Sequence, residues 1–114
     1  MPFLSILTNA PLSAETESAL ATAASKTLAT CLGKPEAYVM VSVQSKATLR
    51  FAGSDAFAAF LEIKSIGLPR DLNTLAQMLT DVVTQHAQIP ARCVYVTFAD
   101  VPATHWAHGG TTFA

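Results

Sequence analysis

The feature that most narrows the possible folds of this chain is an internal repeat. FLSI at residues 3–6 returns as FLEI at residues 60–63. KPEAYVMVSV, which follows one long helical stretch, is echoed by IPARCVYVTF after another, with Pro35 and Pro90 in equivalent places. Each half therefore reads strand, long helix, strand. Two such βαβ units predict an α+β fold in which one four-stranded sheet carries two antiparallel helices on one face.

Local signals set the expected elements. A β-prone run over 3–8 is closed by Asn9, Ala10 and Pro11. Ser13 precedes a stretch in which Leu20, Ala24, Leu28 and Leu32 recur at helical spacing until Gly33 ends it. Strands are expected over 38–43, over 48–51, over 57–63 after a turn at 53–55, and over 94–98. A second helix is expected over 71–86, with Leu72, Leu75, Leu79 and Val82 or Val83 on one face. The tail GGTTFA adds a candidate last short strand.

The length of 114 residues suits a single domain over residues 1–114. Charged residues make up only 13% of it, about half the roughly 25% usual in soluble domains. Few charges are available to cover the surface, and the sheet face away from the helices is expected to be apolar and covered by neighbouring subunits. A net charge of -1 with no basic stripe argues against nucleic acid as a partner. Lys26, Lys46, Lys64 and Asp81 break the apolar stretches well short of the roughly 20 residues that span a bilayer. No signal-peptide pattern opens the chain, so a cytoplasmic protein is expected, with only non-classical routes of secretion open to it.

Most conventional catalytic patterns are missing. Gly33 and Lys34 lack the upstream glycine of a phosphate loop, because Leu28 stands in its place and Pro35 follows the lysine. There is no GxSxG elbow. Cys31 and Cys93 are isolated thiols that suit small buried hydrophobes. His105 and His108 have no carboxylate or cysteine beside them in sequence, so no metal is expected and a polar loop is the simpler reading. His86 at a helix C-terminus suits a dipole partner. No cofactor is implied.

What remains is a set of short motifs at the ends of elements: MPFL at the start, LGKP at 32–35, KSIG at 64–67, VYVTF at 94–98 and TTFA at the end. In this order and spacing, on the repeated βαβ layout, they resemble the macrophage migration inhibitory factor family and its sister D-dopachrome tautomerase, within the tautomerase superfamily. The resemblance covers the whole chain. It implies a symmetric homotrimer with active sites at the subunit interfaces. Pro2, freed by removal of Met1, is then the general acid/base of keto–enol tautomerisation of a small α-keto acid such as phenylpyruvate or of a dopachrome-like substrate.

Several partners make chemical sense in their own right. Lys34 follows the helix-ending glycine and can hold a substrate carboxylate while depressing the pKa of Pro2; the plain alternative is a helix C-terminal lysine. Ser65 and Ile66 end the strand beside Pro2, and the Ile66 N–H is a second carboxylate donor. Tyr95 and Thr97 share one face of their strand and, by resemblance, come from the adjacent subunit. Tyr38, Trp106 and Phe113 form the expected aromatic wall, with plain core as their alternative.

Three departures set this chain apart from the cytokine members. Ala58 and Leu61 stand where those carry a CxxC pair, which leaves a thiol oxidoreductase activity unsupported. Thr97 stands where they have Asn. HWAHGGTTFA is longer between the tryptophan and TTFA. The alternative function is a cytokine-like ligand for a protein receptor, with a vestigial pocket. The basic amine, the lysine and the tyrosine kept together favour the enzyme, because receptor binding needs no basic amine in a pocket.

Overall fold

The computed structural model describes residues 1–114. The chain runs through β1 (Pro2–Thr8), α1 (Ala14–Leu32), β2 (Met40–Gln44), β3 (Ala59–Ser65), α2 (Leu72–Ala87), β4 (Val94–Asp100) and a C-terminal ribbon of β5 (Ala107–His108) and β6 (Thr111–Thr112). The main sheet has the order β2-β1-β3-β4. β1 runs parallel to β2 and antiparallel to β3, and β3 runs parallel to β4. The two halves thus meet along β1 and β3, the strands that carry FLSI and FLEI.

Both helices lie on one face. Leu20, Ala24 and Leu28 of α1 and Leu75, Leu79 and Val83 of α2 pack on Leu4, Ile6, Leu61 and Ile63 in a single core. Ala58 and Leu61 are buried there as well. The helix ends are built from local chemistry. Ser13 accepts the Thr16 N–H and Asp71 accepts the Thr74 N–H, each satisfying a donor that the first turn leaves free. Gly33 adopts φ 62° and Lys34 donates its N–H back to the Ala29 carbonyl at 3.0 Å, the Schellman pattern. That turn throws Lys34 toward the end of β3.

Three expectations need correction. Residues 38–43 do not begin as strand: Pro35 starts a 3₁₀ turn over Glu36–Tyr38, and pairing starts at Met40. Residues 48–51 form no strand. Left-handed conformations at Lys46, Ala52 and Gly53 keep this loop curved, and a lone bridge joins Phe51 to Ser54. The Asn9 side chain organises its far end, accepting from the Ala58 N–H at 2.9 Å and donating to the Ala56 carbonyl at 3.0 Å.

The third correction concerns the face away from the helices. It is mixed rather than apolar, because register lays three rows across it. Met40, Phe3, Lys64 and Ala99 form one row; Ser42, Ser5, Glu62 and Thr97 form the next; Gln44, Leu7, Phe60 and Tyr95 form the third. The middle row is polar from edge to edge. Met40 (66% exposed) and Tyr95 (60%) stand open beside it.

Candidate active site

At one end of β1, the start of the chain opens into a cavity of about 490 Å³. Pro2 lies at its base, directly opposite Ser65 in the β1–β3 ladder. The 3₁₀ turn after α1 contributes Tyr38, the C-terminal segment contributes Trp106 and Phe113, and the open sheet face contributes Phe3 and Met40. Most of the lining is hydrophobic. The C-terminal wall is held by its own ribbon: Gly109 and Gly110, at φ 60° and 91°, make the two-residue turn that requires positive φ twice. The Phe113 N–H then donates to the Trp106 carbonyl at 3.1 Å.

Lys34 lies close enough to the chain start for its charge to act on the α-amino group. Its Nζ donates to the Ile66 carbonyl at 2.9 Å, which fixes the ammonium at the end of β3 and leaves two of its three hydrogens for other acceptors. The turn that follows β3 is itself held, since the Gly67 N–H donates to Asp100 Oδ1 at 3.0 Å and the Val101 N–H to the Ser65 carbonyl at 2.9 Å. The α-amino group at the chain start, here on Met1, sits below its ordinary pKa of 8.0, through burial first and the Lys34 charge second. Pro2 lies deeper than Met1: Pro2 is buried and Met1 half-buried.

Of the residues singled out in the sequence, Pro2, Tyr38, Trp106 and Phe113 line the cavity together. Lys34 and Ile66 meet each other beside it. Ser65 is fully buried behind Pro2, with a hydroxyl that has no hydrogen-bond partner. Tyr95 and Thr97 are not brought to the cavity within one chain. They lie on β4, two strands away from β1, where Tyr95 packs edge-on against Phe51 with ring centroids 5.0 Å apart.

Among the lining residues not anticipated as part of a site are Met40, Lys64 and His108. Met40 and Lys64 flank Phe3 in register on the open face, and His108 comes from β5, its ring 6.1 Å from that of Phe113. Alternation along 40–44 and 60–65 carried a signal for the first two, but only the register puts them beside Phe3. His86, by contrast, turns back on its own helix, with Nδ1 2.9 Å from the Val82 carbonyl oxygen. No helix of the chain is long and apolar enough to cross a membrane.

Comparison with known proteins agrees with this architecture. The family model described as macrophage migration inhibitory factor matches residues 1–114. A macrophage migration inhibitory factor homolog of Brugia malayi is 36% identical over 115 residues, covering 99% of each chain. The crystal structure of a macrophage migration inhibitory factor homologue from Prochlorococcus marinus, 34% identical, superposes with a TM-score of 0.92 over 98% of this chain and 99% of that one. The Toxoplasma gondii macrophage migration inhibitory factor, 31% identical, gives 0.90 over 96% of this chain and 98% of its own. The chain belongs to the macrophage migration inhibitory factor family.

Proposed function

We propose that this protein is a keto–enol tautomerase for phenylpyruvate-like α-keto acids, and for dopachrome-like substrates, working as a homotrimer with the Pro2 amine as general acid/base after removal of Met1. The supporting observation is the start of the chain itself: an amine in an apolar cavity beside Lys34, where both burial and the neighbouring cation favour its neutral form. An α-amino group ordinarily titrates at about 7.7 to 8.0. Lowering it from there raises the share of neutral amine at physiological pH, and the neutral lone pair can take a proton.

In the proposed reaction the Pro2 nitrogen removes the enol O–H proton and returns it to the adjacent carbon, giving the keto acid. Lys34 Nζ and the Ile66 N–H hold the carboxylate. Tyr38, Trp106 and Phe113 enclose the substrate ring, while Tyr95 and Thr97 reach the site from the neighbouring subunit. The trimer reading draws support from two open sheet edges, β2 and β4, and from the exposed Met40, Phe60 and Tyr95 between them. Light scattering at micromolar concentration is expected to give three times the 12.0 kDa chain mass. A monomer mass there overturns both the assembly and the shared site.

The reading is tested by phenylpyruvate ketonisation with protein whose N-terminus has been shown by mass spectrometry to be Pro2. No turnover by that species overturns it. Lys34→Ala is expected to raise KM about 10-fold or more, since a hydrogen bond to a charged group is worth roughly 1.5 to 3 kcal/mol. The same substitution removes a cation that disfavours the ammonium, so the acid limb of kcat/KM moves to higher pH. Unchanged kinetics return Lys34 to the role of a helix-end lysine.

A further inference from the structure

The buried group that the proposed reaction leaves unused is the Ser65 hydroxyl. It is 0% exposed and neither donates nor accepts a hydrogen bond. Buried polar side-chain atoms nearly always have a partner, and alanine would fill this position among Leu4 and Ile63 without that penalty. Ser65 pairs with Pro2 in the ladder, and both side chains lie on the buried face of the sheet. While Met1 is attached, the Pro2 nitrogen is a tertiary amide: it has no hydrogen to donate and no basic lone pair. The hydroxyl without a partner therefore sits on the residue paired across the ladder with a backbone nitrogen that has no hydrogen to offer it. Removing Met1 turns that nitrogen into a secondary amine, with one hydrogen when neutral and two when protonated.

We infer that the Ser65 hydroxyl is a positioning residue that accepts an N–H from the processed Pro2 amine in both protonation states. This rests on the proposed use of Pro2. In the neutral amine, the single N–H points back into the protein at Ser65 Oγ and the lone pair is left directed into the cavity. After proton uptake, the second N–H occupies the lone-pair direction and faces the substrate carbon, while the first stays on Ser65. Ser65 so selects one of the two pyramidal arrangements of the nitrogen, the one that faces substrate. Because a hydrogen bond from the ammonium is the stronger of the two, Ser65 raises the amine pKa, opposing burial and Lys34. The other ionisable groups about this end of the sheet are Tyr38, Lys64 and His108 on the cavity wall and Asp100 opposite Ser65 on β4. Asp100 is engaged by the Gly67 N–H.

The test is a titration of ¹⁵N-proline-labelled, Met1-free protein by NMR, reading the Pro2 nitrogen directly in wild type and in Ser65→Ala. The expected result is a pKa lowered by about half a unit to one unit in Ser65→Ala, with kcat for phenylpyruvate down about tenfold and KM within twofold. Lys34→Ala moves the same resonance the other way. A second measurement guards against a purely structural effect: in the Met1-bearing form, where the hydroxyl has no partner, Ser65→Ala leaves the melting temperature unchanged or raises it. A Pro2 titration identical in wild type and Ser65→Ala overturns the inference, whatever the activity. If the titration shifts but processed wild type does not turn over phenylpyruvate, the contact stands and the tautomerase reading falls.

Discussion

Leaving Met1 in place, or adding one residue ahead of Pro2, is expected to lower phenylpyruvate turnover by a factor on the order of 10² to 10⁴, the usual worth of a positioned acid/base. Acylation turns the Pro2 nitrogen into an amide with no basic lone pair. The fold tolerates it, since Pro2 pairs with Ser65 in the ladder with Met1 attached, and a proline that opens a strand breaks no hydrogen bond. Melting temperature and trimer mass should stay near those of the processed form. Pro2→Gly, which keeps a primary amine, should keep part of the activity. The kcat/KM profile of the processed enzyme should fall on the acid side with a midpoint below the ordinary amine value, because burial and Lys34 both favour the neutral amine. An N-terminally extended trimer that ketonises phenylpyruvate at the wild-type rate removes Pro2 from the chemistry.

Leu61→Ala is expected to cost the fold about 2 to 5 kcal/mol, a large share of the roughly 5 to 15 kcal/mol that holds a domain together. Leu61 is 0% exposed on β3, flanked by Ile6 on β1 and Val96 on β4. Both helices press on this strip from above, and the ladders on each side keep the backbone from closing over a lost side chain. Urea titration at one fixed protein concentration reads the loss. Gln77→Ala on the exposed side of α2 should change stability by less than about 0.5 kcal/mol. Equal midpoints for Leu61→Ala and wild type would mean that this strip is not the core of the fold.

What the sequence reveals here follows the range of each interaction. α1 was legible at both ends because Ser13 and Gly33 act within one turn, and the Leu20, Ala24, Leu28 face needs only its own period. The four-stranded sheet with both helices on one face followed from the repeat. Residues 48–51 misled because alternation over four residues says nothing about a backbone that turns left-handed at Lys46 and Ala52. The polar middle row of the open face was hidden for another reason. Ser5, Ser42, Glu62 and Thr97 look like scattered polar residues until register sets them side by side. Pro2, Lys34 and Phe113 stand in motifs at element ends and Tyr38 and Trp106 were implied by the family resemblance, whereas the place of Met40, Lys64 and His108 on the cavity wall depends on packing between distant segments. The Ser65 hydroxyl looked like one of several substrate contacts. Only its burial opposite Pro2 sets it apart.

The placement of β1 between β2 and β3 has a consequence for how the protein is made. Residues 2–8 belong to an interior strand and are made well before its partner on one side, which ends at Ser65. At about 5 to 20 residues per second, that partner follows about 3 to 13 seconds later. For that interval the strand at the N-terminus lacks this partner; once β3 docks, Pro2 is buried and Met1 is half-buried at the cavity. Under the proposed function, Met1 is then more open to removal before β3 docks than after it. On that same proposal, processed and Met1-bearing subunits can then coexist in one preparation, and its specific activity scales with the processed fraction.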